Sequence, residues 1–167
     1  MAKNRVLKLP APVDAQEPAR KAEVDAVDVG EGHITILPFN YSAIIQGTFI
    51  FDAQPVQWGG WPFRTNGPGD GDEIHYKAFM EAGTYTLRLL GIKTYGAAIL
   101  DVYIDDEEIA SFDTYSAASI FNSVFTDTDN VVATRGLKTI KLKIDGRNPS
   151  STNWYIYLSS ITFWRTA

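Results

Sequence analysis

The sequence predicts an all-β fold: an antiparallel jelly-roll β-sandwich preceded by an extended N-terminal arm with a short helix. The first observation is strict alternation. Within Lys138–Ile144, Ile140, Leu142 and Ile144 share one strand face and polar residues share the other. The second is spacing, because turn-forming residues separate about nine apolar runs at intervals of about 8 to 12 residues. Half-apolar strands of this kind bury their apolar faces when two sheets pack together.

The predicted strands are runs rich in β-branched and aromatic residues, bounded by glycine, proline, asparagine or aspartate. They are His33–Leu37, Ser42–Phe51, Glu73–Phe79, Gly83–Gly91, Ala98–Ile104, Glu107–Phe112, Asn122–Thr128, Leu137–Ile144 and Trp154–Phe163. Pro38 ends the first strand because proline donates no hydrogen bond to a ladder. Asp105 and Asp106 predict a tight hairpin, since aspartate tolerates positive φ. Residues 33–167 are therefore assigned to the sandwich.

Composition and charge exclude several classes of protein. The 167 residues suffice for one domain or one domain plus an arm, and the hydrophobic fraction of 45% is typical of a globular protein. The absence of cysteine excludes disulfides, a cysteine-ligated zinc site and a thiol nucleophile. The formal net charge is −5 and no Lys/Arg block stands out, so no nucleic-acid partner is expected.

The sequence predicts neither membrane insertion nor secretion. No apolar run reaches the roughly 20 residues that a membrane helix needs. The first residues lack the apolar stretch of a secretory signal. Synthesis in a cytoplasm is therefore expected.

Residues 1–32 are predicted to be an anchoring arm. They contain three prolines and no aromatic residue, so they cannot build a core of their own. Asp14 and Glu17 have the chemistry of a helix cap, and Pro18 is tolerated in the first turn of the helix that follows. A helix of about a dozen residues is marginal alone, so the arm needs a surface to lie on. The residues expected to make the anchoring contacts are Leu7, Leu9, Pro10, Pro12, Val13, Val24 and Val27.

Two stretches of the arm, Leu9–Ala15 and Arg20–Ala26, resemble the short linker repeat of tailed-bacteriophage fibre and appendage proteins. Glu23 stands where that family usually has tyrosine. The residues that match the repeat are Pro12, Asp14, Ala15, Lys21, Ala22, Val24 and Asp25.

The strand region carries a second resemblance, over about 80 residues. It is similar to a jelly-roll domain at the C-terminus of phage virion proteins and to carbohydrate-binding modules of the galactose-binding type. The segments that carry it are Gly83–Leu87, Leu100–Asp105, Gly136–Leu142 and Gly146–Ile156.

Together the two resemblances imply a structural protein of a phage particle. They imply a homotrimeric capsid decoration or head-fibre protein, assembled in the host cytoplasm and bound through its arm to major capsid or tail proteins. The jelly roll would point outward from the virion, towards host-surface glycans. The alternatives are a tail-fibre or baseplate receptor-binding protein, or a non-catalytic carbohydrate-binding module.

A long loop between Asp52 and Asp72 supplies the predicted glycan-contact residues. Its glycines and prolines exclude a strand ladder, and loops of this length tend to be functional or flexible. Aromatic rings and directional polar groups are the usual lining of a sugar site. The predicted contacts are Trp58, Trp61, Phe63, Arg64 and Asn66. The alternative is that the rings cap the end of the sandwich or pack on a neighbouring subunit.

Neither catalysis nor a cofactor is predicted. His33 and His75 have no adjacent serine or cysteine motif, which a catalytic triad would require. The acidic residues 105–108 crowd one hairpin tip, whereas the carboxylates of a glycosidase flank a cleft. The weak metal candidate is the set Asp70, Asp72 and Glu73, whose oxygen ligands suit Ca²⁺.

Overall fold

The computed structural model describes residues 32–51 and 63–166, which belong to one compact unit of the chain. These residues contain eleven β-strands and no helix. The strands are β1 (His33–Ile36), β2 (Ala43–Gln46), β3 (Phe49–Phe51), β4 (Phe63–Thr65), β5 (Glu73–Met80), β6 (Gly83–Lys93), β7 (Ile99–Ile104), β8 (Glu107–Asp113), β9 (Ile120–Val132), β10 (Gly136–Ile144) and β11 (Tyr157–Arg165). The short helix predicted for the arm lies outside the described residues.

The strands form two antiparallel sheets. In the first sheet the order is β3-β4-β11-β6-β9, and β1 also pairs with β11. In the second sheet the order is β2-β5-β10-β7-β8. The predicted all-β sandwich is thus confirmed for the described residues. None of their segments is a helix long and apolar enough to cross a membrane.

Alternation of side chains builds the core between the sheets. On β5, Ile74, Tyr76 and Ala78 are buried, and on β10 Ile140 and Ile144 are at most 1% exposed, as the sequence pattern predicts. Tyr76 donates a hydrogen bond of 2.8 Å to the carbonyl of Pro38, which satisfies its buried hydroxyl. Burial raises the pKa of Tyr76 well above its ordinary value.

The stretch Ser42–Phe51, predicted as one strand, is two strands in different sheets. The chain turns between them at Gly47, whose φ is +87°. A Cβ at Gly47 would lie 2.5 Å from the carboxyl carbon of Asp72, so only glycine fits this corner. Alternation alone does not reveal such a corner, because both halves keep strand geometry.

Several further strand boundaries differ from the prediction. The strand Phe63–Thr65 falls within a stretch that the sequence assigned to a loop. The strand at 122–128 is longer than predicted, running from Ile120 to Val132, and the last strand begins at Tyr157. Pairing with a central neighbour extends or recruits such segments, which short-range patterns cannot show.

The predicted hairpin at Asp105 is confirmed. Asp105 has a φ of +57°, and its carboxylate accepts a hydrogen bond of 2.9 Å from the backbone N–H of Thr139. Lys138 donates to the same carboxylate at 3.1 Å. The Thr139 hydrogen bond, helped by Lys138, lowers the pKa of Asp105.

Strand β11 contains an irregularity between Leu158 and Ser160 where it pairs with β6. At this point Gly91 of β6 lies so close to β11 that a Cβ would be 2.2 Å from the carbonyl oxygen of Tyr157. The contact involves backbone, which cannot rotate away as a side chain does. Glycine at this position therefore permits the closest approach of the two central strands.

We expect Gly91→Ala to destabilise the fold by about 2 kcal/mol or more, because the added methyl overlaps the backbone of β11. The matched control is Gly69→Ala, since a Cβ there meets no atom within 4 Å. Chemical denaturation of both variants checks the difference. Equal stability of the two variants would contradict the close approach.

Candidate functional site

The outer face of the first sheet carries the side chains that alternate with its core residues. Leu87 and Leu89 of β6 and Ile161 and Phe163 of β11 point inward and are fully buried. Their sequence neighbours therefore point outward, since successive strand residues face opposite sides of a sheet.

These outward side chains form a shallow groove of about 150 Å³. The antiparallel register places Arg88 beside Thr162, and Leu90 beside both Ser160 and Val124. We call this surface the Trp164 groove. It is lined by Arg88, Leu90, Val124, Ser160, Thr162 and Trp164, together with Leu89, whose side chain points inward.

A guanidinium–indole stack forms one wall of the groove. The Arg88 guanidinium carbon lies 4.8 Å from the centroid of the Trp164 ring. His33 lies on β1, which also pairs with β11, and its ring centroid is 6.2 Å from that of Trp164. Arg88 is exposed. Among the described residues no group accepts a hydrogen bond from its guanidinium or forms an ion pair with it.

The rest of the groove combines apolar and hydroxyl groups. Val124 is 48% exposed and Leu90 is partly exposed. The hydroxyl of Thr162 lies 3.4 Å from that of Thr35. Thr162 is only 8% exposed. The groove therefore offers exposed methyl groups and the partly exposed Ser160 on strands that neighbouring ladders hold rigid.

Near the start of β11 a second aromatic group lies on the same outer face. The rings of Tyr155 and Tyr157 have centroids 5.8 Å apart, and the Arg64 guanidinium carbon is 5.8 Å from the Tyr155 centroid. Arg64 faces outward because its neighbours Phe63 and Thr65 are buried. Tyr157 and Trp164 are seven residues apart on β11, or roughly 20 Å at the rise of a strand.

The predicted glycan-contact residues are placed differently from one another. Trp58 and Trp61 lie outside the described residues. Phe63 is 4% exposed and stacks on Phe49 with centroids 5.7 Å apart, so its ring belongs to the core and presents no face to a ligand. Arg64 lies on the outer face, and Asn66 is exposed.

The anchoring residues predicted for the arm lie outside the described residues. They are Leu7, Leu9, Pro10, Pro12, Val13, Val24 and Val27.

Sequence reasoning did not bring Arg88 and Trp164 together. Each lies in a predicted strand or next to one, and alternation against the buried Leu87 and Phe163 shows that both point outward. The missing information is the pairing of β6 with β11 and its register. An outward arginine and an outward tryptophan in two strands are the only signals that the sequence carries.

The carboxylates of the weak metal candidate have separate partners. Asp70 accepts a hydrogen bond of 2.9 Å from the backbone N–H of Gly146, and Asp72 accepts one of 3.0 Å from Gly69. Glu73 contacts the ring of His75. Within residues 32–51 and 63–166 no three histidine or acidic side chains group together as a metal site would require. The three carboxylates therefore contact groups of the protein itself: two backbone N–H groups and a histidine ring.

Tyr95 is an exposed aromatic residue in the loop between β6 and β7. It is 58% exposed, and its carbonyl accepts a hydrogen bond of 3.0 Å from the backbone N–H of Thr152. The ring is therefore mounted on a fixed backbone. The exposed ring of Tyr95 is not among the residues that line the Trp164 groove.

The outer face of the second sheet is charged and contains a buried carboxylate. Asp101 is 4% exposed. Burial raises its pKa, the hydrogen bond from Ser111 opposes this shift, and Glu108 and Asp145 add to it. Lys143 is its partner in the ladder with β10. The folded protein therefore holds a proton on Asp101 more tightly than the unfolded chain does.

We expect Asp101→Asn to stabilise the fold relative to the wild type as pH rises. A carboxyl whose folded pKa is raised stabilises the fold below the ordinary aspartate pKa, and this contribution is lost as pH rises through the folded value. The difference in unfolding free energy between variant and wild type should therefore grow from about pH 3 towards neutrality. Denaturation of both proteins across this range measures it, and a difference that shrinks with pH would contradict the shift.

No protein-family model matches the sequence, and no curated protein matches it. Solved structures, in contrast, resemble the fold. A carbohydrate-binding module CBM36 in complex with calcium and xylotriose has a TM-score of 0.57 at 19% identity, covering 78% of this chain and 98% of that one. The module CsCBM6-3 from Clostridium stercorarium, in complex with cellobiose, has a TM-score of 0.55 at 16% identity, covering 80% and 94%.

A Paenibacillus xanthan lyase is also similar, with a TM-score of 0.64 and 19% identity. The match covers 79% of this chain and only 13% of the lyase. At these identities the likeness shows the fold alone. The described residues thus form a jelly-roll-like β-sandwich of the kind found in carbohydrate-binding modules.

Proposed function

We propose that the sandwich is a non-catalytic carbohydrate-binding domain and that a sugar chain binds in the Trp164 groove. The observation that carries the proposal is the groove itself, where Arg88 lies over Trp164 and has no hydrogen-bond or ion-pair partner among the described residues, beside exposed methyl groups and the partly exposed Ser160. The proposal is also supported by the likeness of the fold to carbohydrate-binding modules that are in complex with sugars.

The chemistry of the groove suits a sugar ring. A pyranose presents C–H groups on its faces and hydroxyls around its edge, so it needs an apolar surface next to directional hydrogen-bonding groups. Leu90 and Val124 supply the apolar surface, and Ser160 and Arg88 supply hydrogen-bonding groups. Because these side chains stand on paired strands, little ordering is needed on binding, which preserves affinity.

The described histidines are not part of a Ser/Thr–His pair. The His75 ring contacts Glu73, and the His33 ring lies beside Trp164. Neither has a hydrogen bond to a serine or threonine hydroxyl among the described residues, which a triad needs.

We expect Trp164→Ala to weaken glycan binding by about tenfold or more, because it removes a wall of the groove and the support of Arg88. The matched control is Phe79→Ala. Phe79 is 53% exposed on the outer face of the second sheet and has Arg135 stacked over it at 5.3 Å. A glycan array followed by titration calorimetry on the best ligand measures both variants.

The other aromatic surfaces are tested in the same assay with Tyr95→Ala, Trp58→Ala and Trp61→Ala. Binding that survives Trp164→Ala but is lost in Tyr95→Ala would place the site in the loop between β6 and β7. Binding lost instead in Trp58→Ala or Trp61→Ala would place it in the loop between Asp52 and Asp72. Loss in Phe79→Ala equal to that in Trp164→Ala would contradict a site on the first sheet.

A role in a phage particle stays a separate prediction, supported by the resemblance of the arm. It includes a homotrimer, attachment to capsid or tail proteins and location in the virion. Mass measurement in solution should give a trimer at micromolar concentration, and removal of residues 1–32 should abolish attachment to empty shells of the parent particle. A monomer, or unchanged attachment without these residues, would contradict this role.

A further inference from the structure

We propose that the carbohydrate held in the Trp164 groove is anionic and that its carboxylate or sulfate group is bound by Arg88. This inference rests on the proposed function and specifies the class of ligand.

The charge of the groove is the first argument. The protein has a formal net charge of −5, yet none of the residues that line the groove is acidic. Arg88 is exposed and forms neither a hydrogen bond nor an ion pair with any described residue. A neutral sugar would gain only hydrogen bonds from Arg88, whereas an anionic substituent would also gain an ion pair and would find no carboxylate in the groove to repel it.

A similar contact between a guanidinium and an aromatic ring lies on the outer face of the second sheet, but there the arginine has an acidic partner. Arg135 lies over Phe79, but its guanidinium also pairs with Glu81 at 3.0 Å. The charge of Arg135 therefore has a partner within the protein. The charge of Arg88 is stacked in the same way without such a partner.

The position of Arg88 leaves it able to bind an anion. Its guanidinium carbon lies over the Trp164 ring, and its N–H groups, which form a planar fork, donate to no described residue. That planar fork matches two oxygens of a carboxylate or a sulfate. The ring also restricts the side chain, so less conformational freedom is lost when the anion binds.

A polyanion such as nucleic acid fits the groove less well. Phosphate backbones are bound by several basic residues along a track. Here a single arginine lies among Leu90, Val124 and hydroxyl groups, which suits a sugar with one charged substituent in contact.

The test uses the full-length protein and three polysaccharide probes: polygalacturonate for carboxylate, a sulfated galactan for sulfate and an uncharged galactan. Affinity electrophoresis and titration calorimetry are run at low salt on wild type, Arg88→Gln and Arg135→Gln. Arg135→Gln is the control because it removes the same charge from a guanidinium that lies over Phe79, on the outer face of the second sheet. Thermal unfolding of each variant confirms that it is folded.

We expect wild type to bind at least one anionic probe more tightly than the uncharged galactan. Arg88→Gln should weaken that binding by roughly 10- to 100-fold, the effect of losing a hydrogen bond to a charged group, while Arg135→Gln stays within about twofold. Added salt should weaken binding in wild type more than in Arg88→Gln. Preference for polygalacturonate or for the sulfated galactan identifies the anion.

Three results would overturn the inference. If the uncharged galactan binds as tightly as the anionic probes and Arg88→Gln changes nothing, the ligand is neutral. In that case Trp164→Ala still tests the proposed function separately. If no probe binds and a glycan array is blank, the proposed function fails together with this inference. Equal losses in Arg88→Gln and Arg135→Gln would show a general charge effect and would also overturn it.

Discussion

The pairing of β6 with β11 is the contact on which the rest of the structure depends. Its inward side chains, among them Leu87 and Phe163, are fully buried at the centre of the core, and its outward side chains form the Trp164 groove. The two strands approach so closely at Gly91 that a methyl group would overlap the carbonyl of Tyr157. A core contact and a candidate ligand surface are thus two faces of the same ladder.

The register irregularity in β11 affects both faces. It lies between Leu158, which is buried, and Ser160, which faces the groove. Residues seven positions apart on a regular strand point to opposite faces. Because the extra residue in β11 shifts this alternation by one, Tyr157 and Trp164 can both face outward. The tyrosine pair and the tryptophan therefore share the outer face of the first sheet.

The two outer faces of the sandwich differ in their electrostatics. On the second sheet, lysines form ion pairs with carboxylates, as Lys141 does with Asp106, and burial raises the pKa of Asp101. In the Trp164 groove Arg88 lies over an aromatic ring and has no counter-ion among the residues that the structure describes. Likeness to carbohydrate-binding modules gives the fold, whereas this difference in charge is what points to a ligand surface.

The sequence by itself determined the all-β class, the buried positions of strands such as β5 and β10, and the hairpin at Asp105, because period-two alternation and turn chemistry are local properties. The tertiary structure decided that the chain changes sheets at Gly47 and that Phe63 belongs to the core. It also decided that Arg88 lies over Trp164. These features depend on which strands pair and in what register, and pairing between residues far apart in the chain is fixed by packing of the whole core.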